Sequence, residues 1–368
     1  MPRLLSRNPA DRRSTRSVTR GVNRLRALAG LCLPLIFSAP LAHATPALVV
    51  DAETRAVLFA EEAGHPWYPA STTKLMSAYV TFEALKAGEV TLDTPVTISK
   101  LAMTQASLHA GLSAGRAMRL EDALFAMVVG SANEVAISLA ETVAGSTEAF
   151  AERMNAAASR LGMTATHFDN PNGLFAASQH TTARDLALLG LAATREYPQY
   201  GKLFETSIVV IDGKKLETEN VLLTDFPGTL GLKTGFLCAS GRNIVAMAER
   251  DGRRILVVLL GATTGRERAE RAAKLMSEAF AGVLRPTGTD LQSLPNQPEI
   301  QPEDMRMRVC SAETAAYEAK RNDLYPMGLP GETSYLQAST QPESYAFETL
   351  PSAALFDVPL PIWRPAQP

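Results

Sequence analysis

The stretch Pro69-Ala70-Ser71-Thr72-Thr73-Lys74-Leu75 opens a segment in which apolar residues recur at helical spacing through Leu85. This periodicity predicts a largely buried helix. Residues three apart lie on one face of a helix, so Ser71 and Lys74 should project together at its N-terminus. A lysine can take the proton of a serine hydroxyl if its pKa falls towards neutrality. The spacing therefore suggests a nucleophile with its base, although a capped helix with a solvated lysine has the same pattern.

The composition is that of a globular protein. The 368 residues are 46% hydrophobic and 20% charged, with a net charge of -2, which suits one large or two modest domains. The charge balance gives no general attraction to nucleic acid or to an anionic membrane, so we expect no nucleic-acid partner. His167 has no second candidate ligand at metal spacing, so we expect neither a metal site nor a cofactor.

Residues 1–44 have the pattern of a secretory signal peptide. An arginine-rich leader precedes an almost wholly apolar stretch, and Ala42-His43-Ala44 is a cleavage signal before Thr45. The apolar stretch is too short to span a membrane and is interrupted by prolines. We expect a mature chain that begins at Thr45 and lies in the periplasm or cell-wall space. The length of the leader leaves the true start codon open.

Two further motifs are weak when taken singly. Ser131-Ala132-Asn133 lies in a tight link between predicted helices 120–129 and 134–143, where a hydroxyl and a carboxamide can point into a cleft. Lys233-Thr234-Gly235 opens a predicted strand, where an ammonium and a hydroxyl can meet an anionic group and the glycine allows a close backbone approach. An ordinary helix cap and an exposed strand start would produce the same residues.

The remaining segments predict a mixed α and β chain. Hairpins are expected at 47–51 with 55–60 and at 204–211 with 214–220, and an antiparallel meander at 233–239, 243–248 and 255–260. Further helices are expected at 147–161, 182–194, 266–280 and 311–321. Residues 285–368 are rich in proline, so we interpret 45–284 as a catalytic domain and 285–368 as a tail that wraps it or is partly disordered.

In this order, S-x-x-K, S-x-N and K-T-G are the signature of penicillin-binding proteins and class A β-lactamases. The stretches PASTTKLM (69–76), HFDNPNGL (167–174), TARD (182–185) and GLKTG (231–235) resemble those of the low-molecular-mass D-alanyl-D-alanine carboxypeptidases. The resemblance covers about residues 45–280. It implies the α+β fold of β-lactamases and DD-peptidases, with a five-stranded antiparallel sheet built from both chain ends, flanking helices and a helical lobe.

The resemblance also implies a chemistry on peptidoglycan stem peptides. Ser71 would attack the carbonyl between the last two D-alanines, with Lys74 as general base. Ser131 would relay protons to the leaving amine, and Asn133 would hold the amide groups of the peptide. β-Lactam antibiotics would acylate Ser71 and remain bound.

Further substrate contacts are implied along the third motif. Lys233 and Thr234 would bind the terminal carboxylate, beside Gly235. The backbone N–H groups of Phe236 and of the nucleophile would form the oxyanion hole. Arg268 matches the family position of another carboxylate ligand, although a solvated helix arginine would look the same.

The chain departs from the family pattern at several places. Ala132 replaces the usual glycine, and Phe236 and Cys238 follow the third motif where smaller or polar residues are common. Cys238 and Cys310 could pair in an oxidising compartment or remain separate buried thiols. The tail lacks the family's usual second domain and terminal amphipathic helix, so membrane association stays open and no anchor is seen.

Three other functions are weighed against the carboxypeptidase. A class A β-lactamase would need an E-x-x-L-N loop between the second and third motifs, and the sequence has none. A DD-endopeptidase that cuts cross-links would use the same catalytic residues. A non-catalytic peptidoglycan-binding scaffold would need none of them, and all the motif residues are intact.

Overall fold

The structure is a computed structural model that describes residues 45–105 and 110–351. Its strands are β1 (Ala47–Asp51), β2 (Val57–Glu61), β3 (Pro95–Thr97), β4 (Arg116–Arg119), β5 (Ile208–Ile211), β6 (Lys214–Glu217), β7 (Thr229–Leu237), β8 (Gly241–Arg250), β9 (Arg253–Ala262), β10 (Ser344–Phe347) and β11 (Leu350–Pro351). Its helices are α1 (Thr73–Ala87), α2 (Lys100–Gln105), α3 (Leu120–Val128), α4 (Asn133–Ala144), α5 (Thr147–Leu161), α6 (Ala183–Glu196), α7 (Gly201–Glu205), α8 (Leu222–Asp225), α9 (Gly265–Phe280), α10 (Arg306–Val309) and α11 (Thr314–Leu324). The predicted signal peptide lies outside the described residues and stays a prediction.

The main sheet has five antiparallel strands in the order β2-β1-β9-β8-β7. Because β1 pairs with β9, the sheet joins the first described strand to a strand that is distant in sequence. Alternate residues of β9 pack on opposite faces: Val257 lies in a cluster with α9, and Leu256 in a larger cluster with α6 and the other helices. The expected α+β fold with a five-stranded antiparallel sheet is confirmed.

Helix α1 lies in the middle of the helical side of the molecule. It contacts α3, α4, α5 and α6, and most of its residues are buried, Lys74 among them. The helix ends at Gly88, whose φ of 71° is the left-handed conformation that glycine adopts without strain. The first turn of α1 faces β7, so the first and third sequence motifs meet at the junction of the helices and the sheet.

The second predicted hairpin is partly wrong. Its first strand begins at Ile208 rather than at residue 204, because residues 201–205 form helix α7. Leu203 and Phe204 are buried, and α7 packs against β7. Tertiary burial of these apolar side chains outweighs the β propensity of the segment. Strand β7 also begins four residues earlier than expected, at Thr229.

Residues 285–351 lie against the preceding part of the chain. Strand β10 pairs in parallel with β5, and β11 pairs with β4. Leu291 and Met305 are fully buried in the larger hydrophobic cluster. Arg321 forms a buried ion pair with Glu267 of α9. A domain boundary at residue 284 stays a prediction. None of the helices in residues 45–105 and 110–351 has the length and apolar character required to cross a membrane.

Candidate active site

Ser71 lies in a single 3-10 turn, Ala70–Thr72, immediately before α1. The Thr72 hydroxyl donates a hydrogen bond to the Pro69 carbonyl at 2.7 Å. The Asn243 side chain, on β8, donates to the same carbonyl at 3.0 Å and to the carbonyl of Tyr68 at 2.9 Å. Ala70 has a φ of 50°, which is uncommon for a residue other than glycine. The sheet thus fixes the backbone that carries the Ser71 hydroxyl.

Lys74 is fully buried below Ser71. Its Nζ is 2.9 Å from Ser71 Oγ, 2.7 Å from Asn133 Oδ1 and 2.6 Å from the Asn172 carbonyl oxygen. Burial holds the pKa of Lys74 well below its usual value, and the nearby Lys233 ammonium lowers it further, whereas the Glu134 carboxylate raises it.

A neutral amine fits these three partners of Lys74. The two N–H groups of the amine can donate to the carbonyl oxygens of Asn133 and Asn172, which can only accept. The lone pair then faces Ser71 Oγ, whose hydroxyl can donate to it. The arrangement can therefore accept the serine proton, as a general base must.

The second motif lies in the link between α3 and α4. Ser131 has a φ of 54°, and Ser131 Oγ accepts a hydrogen bond from Lys233 Nζ at 3.2 Å. Asn133 is the first residue of α4 and is almost completely buried. The motif connects the two lysines, because Ser131 contacts Lys233 and Asn133 contacts Lys74.

The third motif lies on β7. Lys233 is buried and its Nζ also donates to the Thr234 carbonyl at 3.0 Å. The pKa of Lys233 is lowered to about 7, chiefly by burial; the Glu219 carboxylate acts to raise this pKa and the positive charge of Arg268 acts to lower it. Near neutral pH Lys233 is therefore present both as an ammonium, which can bind an anion or donate a proton, and as an amine, which can accept one.

Most of the predicted site residues line a cavity of about 260 Å³. Its walls include Ser71 and Ser131 together with Lys233, Thr234, Gly235 and Phe236. The Phe236 ring is 38% exposed and lies 4.6 Å from the guanidinium carbon of Arg242. Lys74 is buried behind this wall and contacts Ser71, and the buried Asn133 contacts Lys74.

Arg268 is not among the residues of the cavity wall. It is 3% exposed, which is incompatible with the alternative of a solvated helix arginine. Its Nη2 donates to the Glu219 carbonyl, and its Nη1 lies 3.5 Å from Glu219 Oε2. Burial lowers its pKa to about 10. Its predicted contact with the substrate carboxylate stays a prediction.

Sequence reasoning missed three polar groups around the site. Asn172 contributes a main-chain carbonyl, and Asn243 is separated from the turn it holds by more than 170 residues. Glu219 lines the cavity but belongs to none of the three motifs. Of these, Asn172 lies within a stretch that carries the family resemblance, which was the available signal. Groups of three or more His, Cys, Asp or Glu side chains suited to a metal ion are absent from the part of the chain that the structure describes.

Cys238 and Cys310 form a disulfide, with Cα atoms 5.6 Å apart. Cys238 directly follows β7, and Cys310 directly follows α10. The bond therefore ties the tail to the end of the strand that carries the third motif. Met305, in the same tail segment, donates its amide to the Ala239 carbonyl at 3.0 Å.

Comparison with known proteins finds curated relatives of this chain. D-alanyl-D-alanine carboxypeptidase DacC of Escherichia coli (strain K12) is 33% identical over 277 residues, which are 72% of this chain and 69% of the relative. For DacD of the same strain, the match covers 65% of the relative. The chain thus spans about two thirds of the length of these curated relatives.

Solved structures agree with this result. The D-alanyl-D-alanine carboxypeptidase DacD from Francisella tularensis superposes with a TM-score of 0.63 at 28% identity, over 65% of this chain and 70% of that one. Penicillin-binding protein D2 from Listeria monocytogenes, in its ampicillin-bound form, has a TM-score of 0.57 at 31% identity, over 65% of this chain and 97% of that one.

A family model decides the assignment. The model described as D-alanyl-D-alanine carboxypeptidase, peptidase family S11, matches residues 35–264, which include all three motifs. This range is more than half of the chain. The chain therefore belongs to the D-alanyl-D-alanine carboxypeptidase family.

Proposed function

We propose that this chain is a serine D-alanyl-D-alanine carboxypeptidase that removes the terminal D-alanine from peptidoglycan stem peptides through an acyl-enzyme on Ser71. The observation that carries the proposal is the 2.9 Å contact between Ser71 Oγ and the buried Lys74 Nζ. The other two partners of that amine are carbonyl oxygens, so its lone pair is directed at the serine.

In the acylation step, Lys74 takes the Ser71 proton as Oγ forms a bond to the carbonyl carbon of the penultimate D-alanine. The oxyanion is stabilised by the amide groups of Ser71 and Phe236. Ser131 gives its hydroxyl proton to the leaving nitrogen of the terminal D-alanine as the peptide bond breaks, and takes a proton back from the Lys233 ammonium that it contacts. Water then attacks the ester, the proton of the water returns to Lys233 through Ser131, and Lys74 returns to Ser71 the proton that it took in acylation.

The terminal carboxylate of the substrate is held by Lys233 and Thr234. The ammonium form of Lys233 supplies a positive charge that is buried and therefore weakly screened by solvent. Arg268, close enough to lower the pKa of Lys233, adds positive potential to the same end of the cavity. The predicted contact of Asn133 with the amide groups of the stem peptide stays a prediction, because Asn133 is almost completely buried and its Oδ1 accepts from Lys74.

β-Lactams acylate the same serine. The similar structure from Listeria monocytogenes is described as an ampicillin-bound form, and the similarity covers 65% of this chain. A β-lactam ring presents a carbonyl and a carboxylate at a spacing that imitates the substrate. Its acyl-enzyme keeps the leaving group attached, which explains a long-lived adduct.

Export to the periplasm or cell-wall space is part of the proposal. It is supported by the leader pattern in residues 1–44 and by the Cys238–Cys310 disulfide, because structural disulfides persist in oxidising compartments. Expression of the full chain, cell fractionation and N-terminal sequencing test it. A mature protein that begins at Thr45 outside the cytoplasm is expected, and an uncleaved cytoplasmic protein would contradict it.

The activity is tested with the protein from Thr45 onward, a pentapeptide stem and a cross-linked dimer as parallel substrates. Release of D-alanine from the pentapeptide is expected. Cleavage of the dimer alone would replace the carboxypeptidase by an endopeptidase, and cleavage of neither, with penicillin still bound, would favour a scaffold.

Ser71→Ala should abolish both D-alanine release and labelling by a fluorescent penicillin, with a nearly unchanged thermal melt. Ser113→Ala, at an exposed serine that does not line the cavity, is the matched control and should behave as wild type. Labelling that survives in Ser71→Ala would remove Ser71 from the role of nucleophile.

A further inference from the structure

Glu219 is a carboxylate in the wall of the catalytic cavity that the three motifs do not include. It lies in the link between β6 and α8, and its side chain is 62% exposed. Its Oε2 is 3.5 Å from Nη1 of Arg242 on β8 and 3.5 Å from Nη1 of Arg268 on α9. A solvated anion therefore lies next to two guanidinium groups at the edge of the site.

The two guanidinium groups have donors that remain unused. Nε and Nη1 of Arg268 and Nε of Arg242 are buried and have no hydrogen-bond partner among the described residues. The Glu219 carboxylate, 3.5 Å from Nη1 of each arginine, supplies compensating charge without a well-formed hydrogen bond. Buried donors without partners are destabilising, so this pair of arginines would be stabilised by an anion that approaches more closely.

Neither arginine lines the cavity; both lie behind the part of its wall that Glu219 and Phe236 form, close to the position expected for a terminal carboxylate. Arg242 pairs with Phe236 in the register of β7 and β8, and Phe236 lies three residues after Lys233. The charges of both Glu219 and Arg268 act on Lys233. A carboxylate bound by Lys233 and Thr234 would therefore share its positive surroundings with Glu219.

Resting on the proposed function, we propose that Glu219 is a specificity-determining residue that occupies the anion position beside Arg242 and Arg268 and competes with the terminal carboxylate of the substrate. Two carboxylates next to the same arginines repel each other, so binding of the substrate requires Glu219 to rotate into solvent. The rotation is easy because the Glu219 side chain is 62% exposed and its carboxylate lies 3.5 Å from each guanidinium group, beyond a well-formed hydrogen bond. Glu219 thus reduces the preference of the site for substrates that end in a free carboxylate over substrates with a neutral end.

The test compares Glu219→Gln with wild type on two stem peptides, one ending in D-alanine and one ending in its primary amide. Glutamine keeps the shape of the side chain and removes its charge. Because the Glu219 charge also raises the pKa of Lys233, which is about 7, the two proteins are compared at about pH 5.5, where Lys233 stays an ammonium in both. There the KM for the free acid should fall about two- to fivefold, the size of a weak ion-pair contribution. The KM for the amide, and kcat for both, should stay the same.

Glu217→Gln is the matched control. Glu217 lines the same cavity, but it pairs with Lys215 at 2.6 Å instead of the arginines. It should leave both KM values unchanged. A fall of the same size in Glu217→Gln, or with the amide, would mean general electrostatics and would overturn the role of Glu219. An unchanged or higher KM for the free acid in Glu219→Gln would overturn it as well.

A binding measurement separates this inference from the proposed function. Calorimetry with an acetylated D-alanyl-D-alanine dipeptide compares Ser71→Ala with the same variant carrying Glu219→Gln. Binding about two- to fivefold tighter in the double variant supports the competition even if the wild type releases no D-alanine. Equal affinities overturn it even if the wild type is an active carboxypeptidase.

Discussion

Gly235 of β7 lies against the turn that carries Ser71, so replacing it by alanine tests how far catalysis depends on this close packing. A Cβ at this position would lie 2.8 Å from the Ser71 amide nitrogen, 3.0 Å from the Thr72 nitrogen and 3.1 Å from the Ala70 Cβ. The shortest of these distances falls about 0.6 Å below an ordinary contact of 3.4 Å. The first two of these are backbone atoms of a turn that Asn243 holds, so they cannot rotate aside.

Strand β7 and the Ser71 turn must therefore separate by roughly half an ångström. Both amides of the proposed oxyanion hole, at Ser71 and Phe236, belong to these two segments. Since a misplacement of about 1 Å can cost about a hundredfold in rate, we expect acylation to slow by about tenfold to a hundredfold. Overpacking of this kind should lower the free energy of unfolding by about 1–3 kcal/mol.

The assay is the second-order rate of acylation of Gly235→Ala by a fluorescent penicillin, followed by stopped flow, with a thermal melt on the same sample. Gly265→Ala is the control, because a Cβ there would meet nothing within 4 Å. It should acylate as wild type does. If Gly235→Ala acylates within about twofold of wild type, the close approach has no role in catalysis and the reasoning is refuted.

Three further predictions concern charge and the tail. Lys233 loses its ammonium proton as pH rises through about 7, so the KM for a free-acid stem peptide should rise up to about tenfold between about pH 6 and pH 8, whereas the KM for the amide should stay constant. If the KM values for the acid and the amide change with pH in the same way, Lys233 does not bind the carboxylate. The double variant Cys238→Ser, Cys310→Ser removes a crosslink between residues 72 positions apart, and by the chain-entropy model the free energy of unfolding, measured with guanidinium, should fall by about 4 kcal/mol. An unchanged free energy of unfolding would show that the disulfide does not stabilise the fold. Glu267 is fully buried and pairs with Arg271 and Arg321, so Arg321→Met should lower the free energy of unfolding by about 3 kcal/mol in the same assay. An unchanged unfolding midpoint would show that this contact of the tail does not stabilise the fold.

Most of the successful predictions of secondary structure came from the local spacing of apolar residues along the sequence. The hairpin β1–β2, the helices α1, α4 and α5 and the meander β7–β9 were predicted within a few residues, because apolar spacing and turn residues are properties of short segments. The segment at 204–211 failed because the burial of Leu203 and Phe204 against β7, a distant contact, determines its conformation. The start of β7 was missed for a similar reason, since its first residues pair with β8 rather than following a local pattern.

The sequence by itself determined the three motifs, their order and the spacing of Ser71 and Lys74, because helix geometry alone places residues three apart on one face. Only the tertiary structure decided the chemical state of these groups. The pKa of Lys74 falls because the fold buries the amine and brings Lys233 close to it. The Asn172 carbonyl reaches that amine from 98 residues away, and Glu219 meets Arg268 across 49 residues. Burial and charge at this range depend on how the segments pack, which no local pattern encodes.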